Sequence, residues 1–104
     1  MARSTAAVGI ALTTDLSQES AIPYFLWDEP LTVGELRKRL SSSEEVRVRL
    51  LGKIMREARE PDVWLFTTPQ EVNQRWDALQ GHLGRRREFW VFLLDRWRSL
   101  GLVN

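Results

Sequence analysis

Arg85-Arg86-Arg87-Glu88-Phe89-Trp90-Val91-Phe92-Leu93-Leu94-Asp95-Arg96-Trp97-Arg98-Ser99-Leu100 is the stretch on which the fold turns. Its centre, 89–94, is apolar on nearly every side of a helix. Trp90, Leu94 and Trp97 make one edge, and Phe89, Leu93 and Leu100 the neighbouring one. A helix without a wide polar face is ordinarily surrounded by other elements, so residues 85–100 are expected to form the central post of a helical bundle. Four short helices leave part of so broad an apolar surface uncovered, and an uncovered remainder is a protein-binding patch. Gly101 occupies the place of a helix C′ residue, and Leu102-Val103 are positioned to fold back on the last turn.

Working outward, three further helix starts share one chemistry. Thr32 stands three residues before Glu35, Ser42 three before Glu45, and Thr68 three before Glu71. Each is a capping-box spacing, in which a hydroxyl accepts the N3 amide and the carboxylate returns to the cap amide. Pro69, directly after Thr68, suits the first helical position. The first helix, about 33–40, buries Val33, Leu36 and Leu40. The second, about 43–59, puts Leu50, Leu51, Ile54, Met55 and Ala58 on one arc, with Arg49, Lys53, Arg56 and Glu60 opposite as a basic stripe. The third, about 69–80, carries Val72, Trp76 and Leu79 and stops near Gly81, and Gly84 resets the chain. Between the second and third, 62–66 is too short for a helix of its own and is expected to insert Trp64 and Phe66.

Ahead of these helices, Ile22-Pro23-Tyr24-Phe25-Leu26-Trp27 reads as an extended aromatic arm, because Pro23 and Pro30 bias their predecessors away from helix. Residues 1–21 lack sustained periodicity and large side chains and are expected to be a flexible leader. Within them, Ala6 to Leu12 is only a weak mimic of a signal-peptide core. The expected organisation is therefore a leader, 1–21, and one helical domain, 22–104. The fold class is all-α, a compact bundle of about four helices with an extended arm.

Composition narrows the chemistry. The 104 residues contain no Cys and one His, which removes disulfides, a thiol nucleophile and a Cys-based zinc site, and leaves little for a His-ligated metal. No cofactor is expected. A 28% charged fraction alongside five Trp and four Phe argues for a packed globule. No stretch approaches the roughly 20 apolar residues of a membrane span, and the lack of Cys fits a cytoplasmic location. The net charge of +1 conceals alternating blocks: 1–34 sum to −3, 35–60 to +3, 61–83 to −2 and 84–104 to +3. Thirteen of the fifteen cations are Arg, the residue that grips carboxylate and phosphate at two points.

Catalytic constellations are nearly absent. His82 is the only imidazole, the serines at 41–43 lie outside any G-x-S-x-G elbow, and neither a P-loop nor G-x-G-x-x-G occurs. Asp28-Glu29 and Glu44-Glu45 are adjacent pairs whose side chains diverge. The expectation is a protein that binds rather than catalyses. Arg85, Arg86 and Arg87 crowd a helix N-terminus, where partial positive charge already favours anions, so with Trp90 and Trp97 they are the candidate contacts for a larger protein partner. In the alternative, a helix-turn-helix regulator, the second helix reads nucleic acid through Arg49, Lys53 and Arg56. Homo-oligomer formation is left open.

Taken together, Tyr24-Phe25-Leu26-Trp27-Asp28, Leu31-Thr32-Val33-Gly34-Glu35-Leu36, Leu50 to Arg59, Asp62-Val63-Trp64, Leu83 to Arg87 and Phe89-Trp90 give the chain a texture. Over about 22–103 it resembles small bacterial proteins associated with abortive-infection nucleotidyltransferases of toxin–antitoxin loci. The resemblance implies a cytoplasmic, antitoxin-like or accessory partner that binds the nucleotidyltransferase, and it brings no functional residues with it.

Overall fold

Residues 11–104 are described by the structure, a computed structural model. Two short strands, β1 (Leu12–Thr13) and β2 (Ile22–Pro23), pair in parallel, Leu12 against Ile22 and Thr13 against Pro23. A 3-10 turn, Tyr24–Leu26, leads to α1 (Val33–Leu40), α2 (Glu44–Glu57) and the single turn α3 (Glu60–Val63). α4 (Pro69–Gln74) and α5 (Trp76–Leu79) are one helix interrupted at Arg75. Two 3-10 turns, Gln80–His82 and Gly84–Arg86, then feed α6 (Arg87–Ser99). The expected all-α architecture is present, and the aromatic arm is extended only at Ile22–Pro23, because Tyr24–Leu26 turns as a 3-10 helix that buries Phe25 and Leu26. No helix of the described residues is long and apolar enough to cross a membrane.

The arm begins earlier than its aromatic residues suggest. Positions 1–10 of the expected leader lie outside the described residues, whereas 11–21 are largely exposed but tied by backbone bonds to the arm and to α1. The cause is the N-terminal turn of α1, whose first amides need acceptors. The carbonyl of Ala21 accepts from Val33 N at 2.8 Å and that of Glu19 from Gly34 N at 2.9 Å. Thr32 Oγ1 accepts from Glu35 N at 3.1 Å, while Glu35 Oε1 accepts from Thr32 N at 2.9 Å, closing the expected capping box. Asp15 folds the intervening loop by accepting from both the amide and the hydroxyl of Ser17. That loop tucks Leu16 into the core. The small side chains of this segment conceal a backbone role.

The second capping box is displaced. Ser43, not Ser42, accepts from Val46 N to start α2, because Ser42 is engaged at the end of α1, its hydroxyl donating to the Arg39 carbonyl at 2.7 Å. At the third start, Thr68 Oγ1 accepts from Glu71 N as expected, but the Glu71 carboxylate turns away to Arg47, Arg75 and Thr67. The 62–66 segment is shared between α3, with Pro61 in its first turn, and a loop that buries Phe66. Its Trp64 lies edge-on between Trp90 and Trp97, with ring centres 5.7 and 5.6 Å away.

The central post is α2 rather than the last helix. Leu50, Leu51, Ile54 and Met55 are fully buried, with Gly52 and Lys53 enclosed between them. α1, α3, α5 and both 3-10 turns after it pack on α2, whereas α6 lies at the edge against α4 and the 84–86 turn. α6 buries only Trp90 and Leu94 fully. Gly52 makes this crowding feasible, since a Cβ there would run into the Cβ of His82. At the other end, Gly101 adopts φ +72° and closes α6 with paired bonds, Gly101 N to Arg98 O and Leu102 N to Trp97 O. Val103 folds back into the core as expected, and Leu102 stays in solvent.

Gly52→Ala is therefore expected to destabilise the protein by about 1–3 kcal/mol despite alanine's better helix propensity. Gly81→Ala, with nothing within 4 Å of the added Cβ, is expected to leave stability unchanged or slightly raised. Denaturant unfolding of the two variants checks this, and equal stabilities would contradict the close approach at Gly52.

Candidate functional site

α6 is held from one side only. Trp90, fully buried, donates from its indole nitrogen to the carbonyl of Met55 at 2.9 Å, supplying a donor to the last turn of α2. Gly84, at φ +52°, turns the chain so that Arg86 reaches back, and its guanidinium donates to the Ala58 carbonyl at 2.5 Å. The same guanidinium lies over the Phe89 ring, 5.0 Å from its centre. Arg87 donates to Gln80 Oε1 at 2.7 Å, and Arg98 to Asn73 Oδ1, also at 2.7 Å.

The opposite side of α6 is open. Phe92 is 59% exposed, Leu100 62% and Phe89 39%. At 100° per residue these three share an arc of about 80° with Arg96, and Arg85 lies just ahead of the helix in the 3-10 turn Gly84–Arg86. Arg85 and Arg96 are exposed and take no part in the ion pairs found among the described residues. Glu88 and Asp95 border the arc on one side, next to Phe92, and both are exposed.

This changes the membership of the expected protein-binding set. Trp90 is unavailable to any partner, because its ring is enclosed and its N–H committed. Trp97 is half-buried against Trp64, and Arg86 is occupied within the chain. Arg85 and Arg87 remain at the surface, and Phe89, Phe92, Arg96 and Leu100 join them. The polar neighbours of Phe92 carried the signal: Glu88, Asp95, Arg96 and Ser99, at i−4, i+3, i+4 and i+7, mark its side of the helix as the wet one.

The basic stripe expected on α2 is engaged within the chain, Arg49 and Lys53 by the arm and Arg56 by its own helix and the His82 carbonyl. Lys53, expected to face solvent, is buried and pairs with Asp28 Oδ1 at 2.6 Å and Glu29 Oε1 at 3.1 Å. Arg49 grips Glu29 at both oxygens, at 3.0 and 3.1 Å. Arg56 pairs with Glu57 and donates to the His82 carbonyl at 3.0 Å. α2 is enclosed along 50–55, and its exposed first turn presents Glu44 and Glu45, which repel phosphate. His82 packs over Gly52 and lines a shallow groove with Glu45, Val48, Arg49 and Ala78.

A second ionic knot ties α4 to α2. Glu71 accepts from Arg47 at 2.5 and 2.7 Å, from Thr67 at 2.6 Å and from Arg75 at 2.7 Å, and Arg75 also pairs with Glu44. Burial pushes the Glu71 carboxyl up, but the bonds from Arg47, Thr67 and Arg75 outweigh it and bring it down to about 2. Arg49, followed by Lys53, likewise outweighs burial and holds Glu29 at about 2. Among the described residues no cluster of His, Asp and Glu is arranged to hold a metal ion. Comparison with protein families, curated proteins and solved structures finds no match to this chain.

Both carboxyls titrate below their ordinary value of 4.5, so folding favours their ionised forms. Their contribution is whole above pH 4.5 and is lost as pH falls towards 2. Glu71→Gln is expected to lower stability at neutral pH by about 1–3 kcal/mol and to flatten this acid dependence. Urea unfolding between pH 2 and 7 checks both effects, and a variant as acid-sensitive as the wild type would contradict the role given to Glu71.

Proposed function

We propose that this chain is a non-catalytic helical module that binds a larger protein through the outer face of α6, as an antitoxin-like or accessory partner of a nucleotidyltransferase. One observation carries the reading: two phenylalanines, a leucine and a free arginine line one side of a helix whose other side is pinned to the core, with a second free arginine just ahead of it. Aromatic and arginine side chains on a rigid support dominate protein interfaces, because their large surfaces are desolvated at little cost in conformational entropy. The chain's own hydrogen bonds fix the direction in which Phe92 points, so the face is preorganised. The nucleotidyltransferase as partner rests on the resemblance over 22–103, and the binding mode rests on the geometry of α6.

Co-expression with a tagged nucleotidyltransferase encoded beside this chain's gene tests the proposal. Stoichiometric co-purification is expected. Phe92→Glu should reduce it roughly 30-fold, the equivalent of a hot-spot loss of about 2 kcal/mol. The exposed site should leave the variant's own stability within about 0.5 kcal/mol of wild type. Retention unaffected by Phe92→Glu, or no retention of the nucleotidyltransferase by wild type, would refute it.

A further inference from the structure

The outer face of α6 restricts what can cover it. Arg96 shares the arc of Phe89, Phe92 and Leu100, and Arg85 stands exposed just ahead of α6 in the 3-10 turn Gly84–Arg86. Most other cations near the core are committed: Arg47 and Arg75 to Glu71, Arg49 and Lys53 to Glu29, Arg56 to Glu57, and Arg86 to the Ala58 carbonyl. Arg85 and Arg96 are not. A purely apolar cover would strip water from two guanidiniums without replacing it, which is strongly unfavourable.

A second copy of the chain fits poorly. In a parallel symmetric pair, Arg85 and Arg96 each meet their own counterpart in the seam. In an antiparallel pair, the border carrying Glu88 and Asp95 meets the same border of the other copy. Either way like charges are brought together as water leaves. Resting on the reading of this face as a docking surface, we infer that its occupant is an amphipathic helix of another protein. That helix places apolar side chains over Phe89, Phe92 and Leu100, one carboxylate over Arg96 and a second towards Arg85, beyond the start of α6. Bidentate guanidinium–carboxylate pairs then fix its register, while Glu88 and Asp95 on one border repel an acidic edge and set which way it lies.

The test uses the full chain and two synthetic helical peptides with leucine along one face. They differ only at two positions, one to meet Arg96 and one near the end that meets Arg85, Glu in one and Lys in the other. By fluorescence anisotropy, the Glu peptide is expected to bind at least tenfold more tightly. The double variant R85E/R96E should reverse the preference, and Phe92→Glu should weaken both peptides. Equal binding of the two peptides, with both still sensitive to Phe92→Glu, would overturn the charge specification while leaving the docking face standing. Binding indifferent to Phe92→Glu would overturn the face itself, and so would binding of neither peptide. A dimer seen by equilibrium sedimentation of the wild type and dispersed by Phe92→Glu would overturn the inference in favour of self-association.

Discussion

The end of α2 makes a demand that the rest of the molecule answers. A helix that stops inside a protein leaves its last carbonyls without amide donors, and here the chain swings to extended backbone at Ala58 immediately after the final turn. Two distant side chains supply donors, and a third accepts from the amide that follows. Trp90 serves the Met55 carbonyl and Arg86 the Ala58 carbonyl. Tyr24 accepts from the amide of Arg59 at 2.8 Å while donating to Asp62 at 2.5 Å. The arm, α3 and α6 are thereby locked to one point, and the positions of all three follow from polar groups that cannot be buried unpaired.

That lock explains why α6 has two unlike sides. Trp90 and Arg86 must point towards α2, so the helix cannot rotate to hide Phe92 and Leu100, and no other described element reaches across to cover them. The aromatic surplus of the last helix is thus a consequence of how the central helix is capped. Ion pairs reinforce the same frame from elsewhere: Glu29 brings the arm against Lys53 and Arg49, and Glu71 joins α4 to α2. Both knots consume basic residues of α2 and α4, while Arg85 and Arg96 at the α6 face, like Lys38 and Arg39 on α1, take no part in the ion pairs found among the described residues.

Helix existence was legible because capping hydroxyls and apolar spacing are local: Thr32 with Glu35, Thr68 before Pro69, and Gly101 after Leu100 all stand where their chemistry requires. Helix placement was less so. The burial of Lys53 depends on carboxylates more than twenty residues away, which no helical wheel contains. The last helix looked central because its middle six residues are all apolar, yet Phe92 is ringed by Glu88, Asp95, Arg96 and Ser99, and those neighbours already indicated its outward side. Residues 11–21 resembled a leader because their contribution is made by carbonyls, at Glu19 and Ala21, and side-chain composition does not report it. The shift from Ser42 to Ser43 has a similar cause, since three consecutive serines are divided between the end of one helix and the start of the next.

The two-sidedness of α6 is the claim from which the functional account descends, and hydroxyl-radical footprinting of the isolated protein measures it directly. Indole is intrinsically more reactive than phenyl, so the account predicts an inversion of the usual order. Phe92 is oxidised readily while Trp90, enclosed against the Met55 carbonyl, is protected until the protein unfolds. Rapid oxidation of Trp90 in the native state, or protection of Phe92 in the monomer, would contradict it.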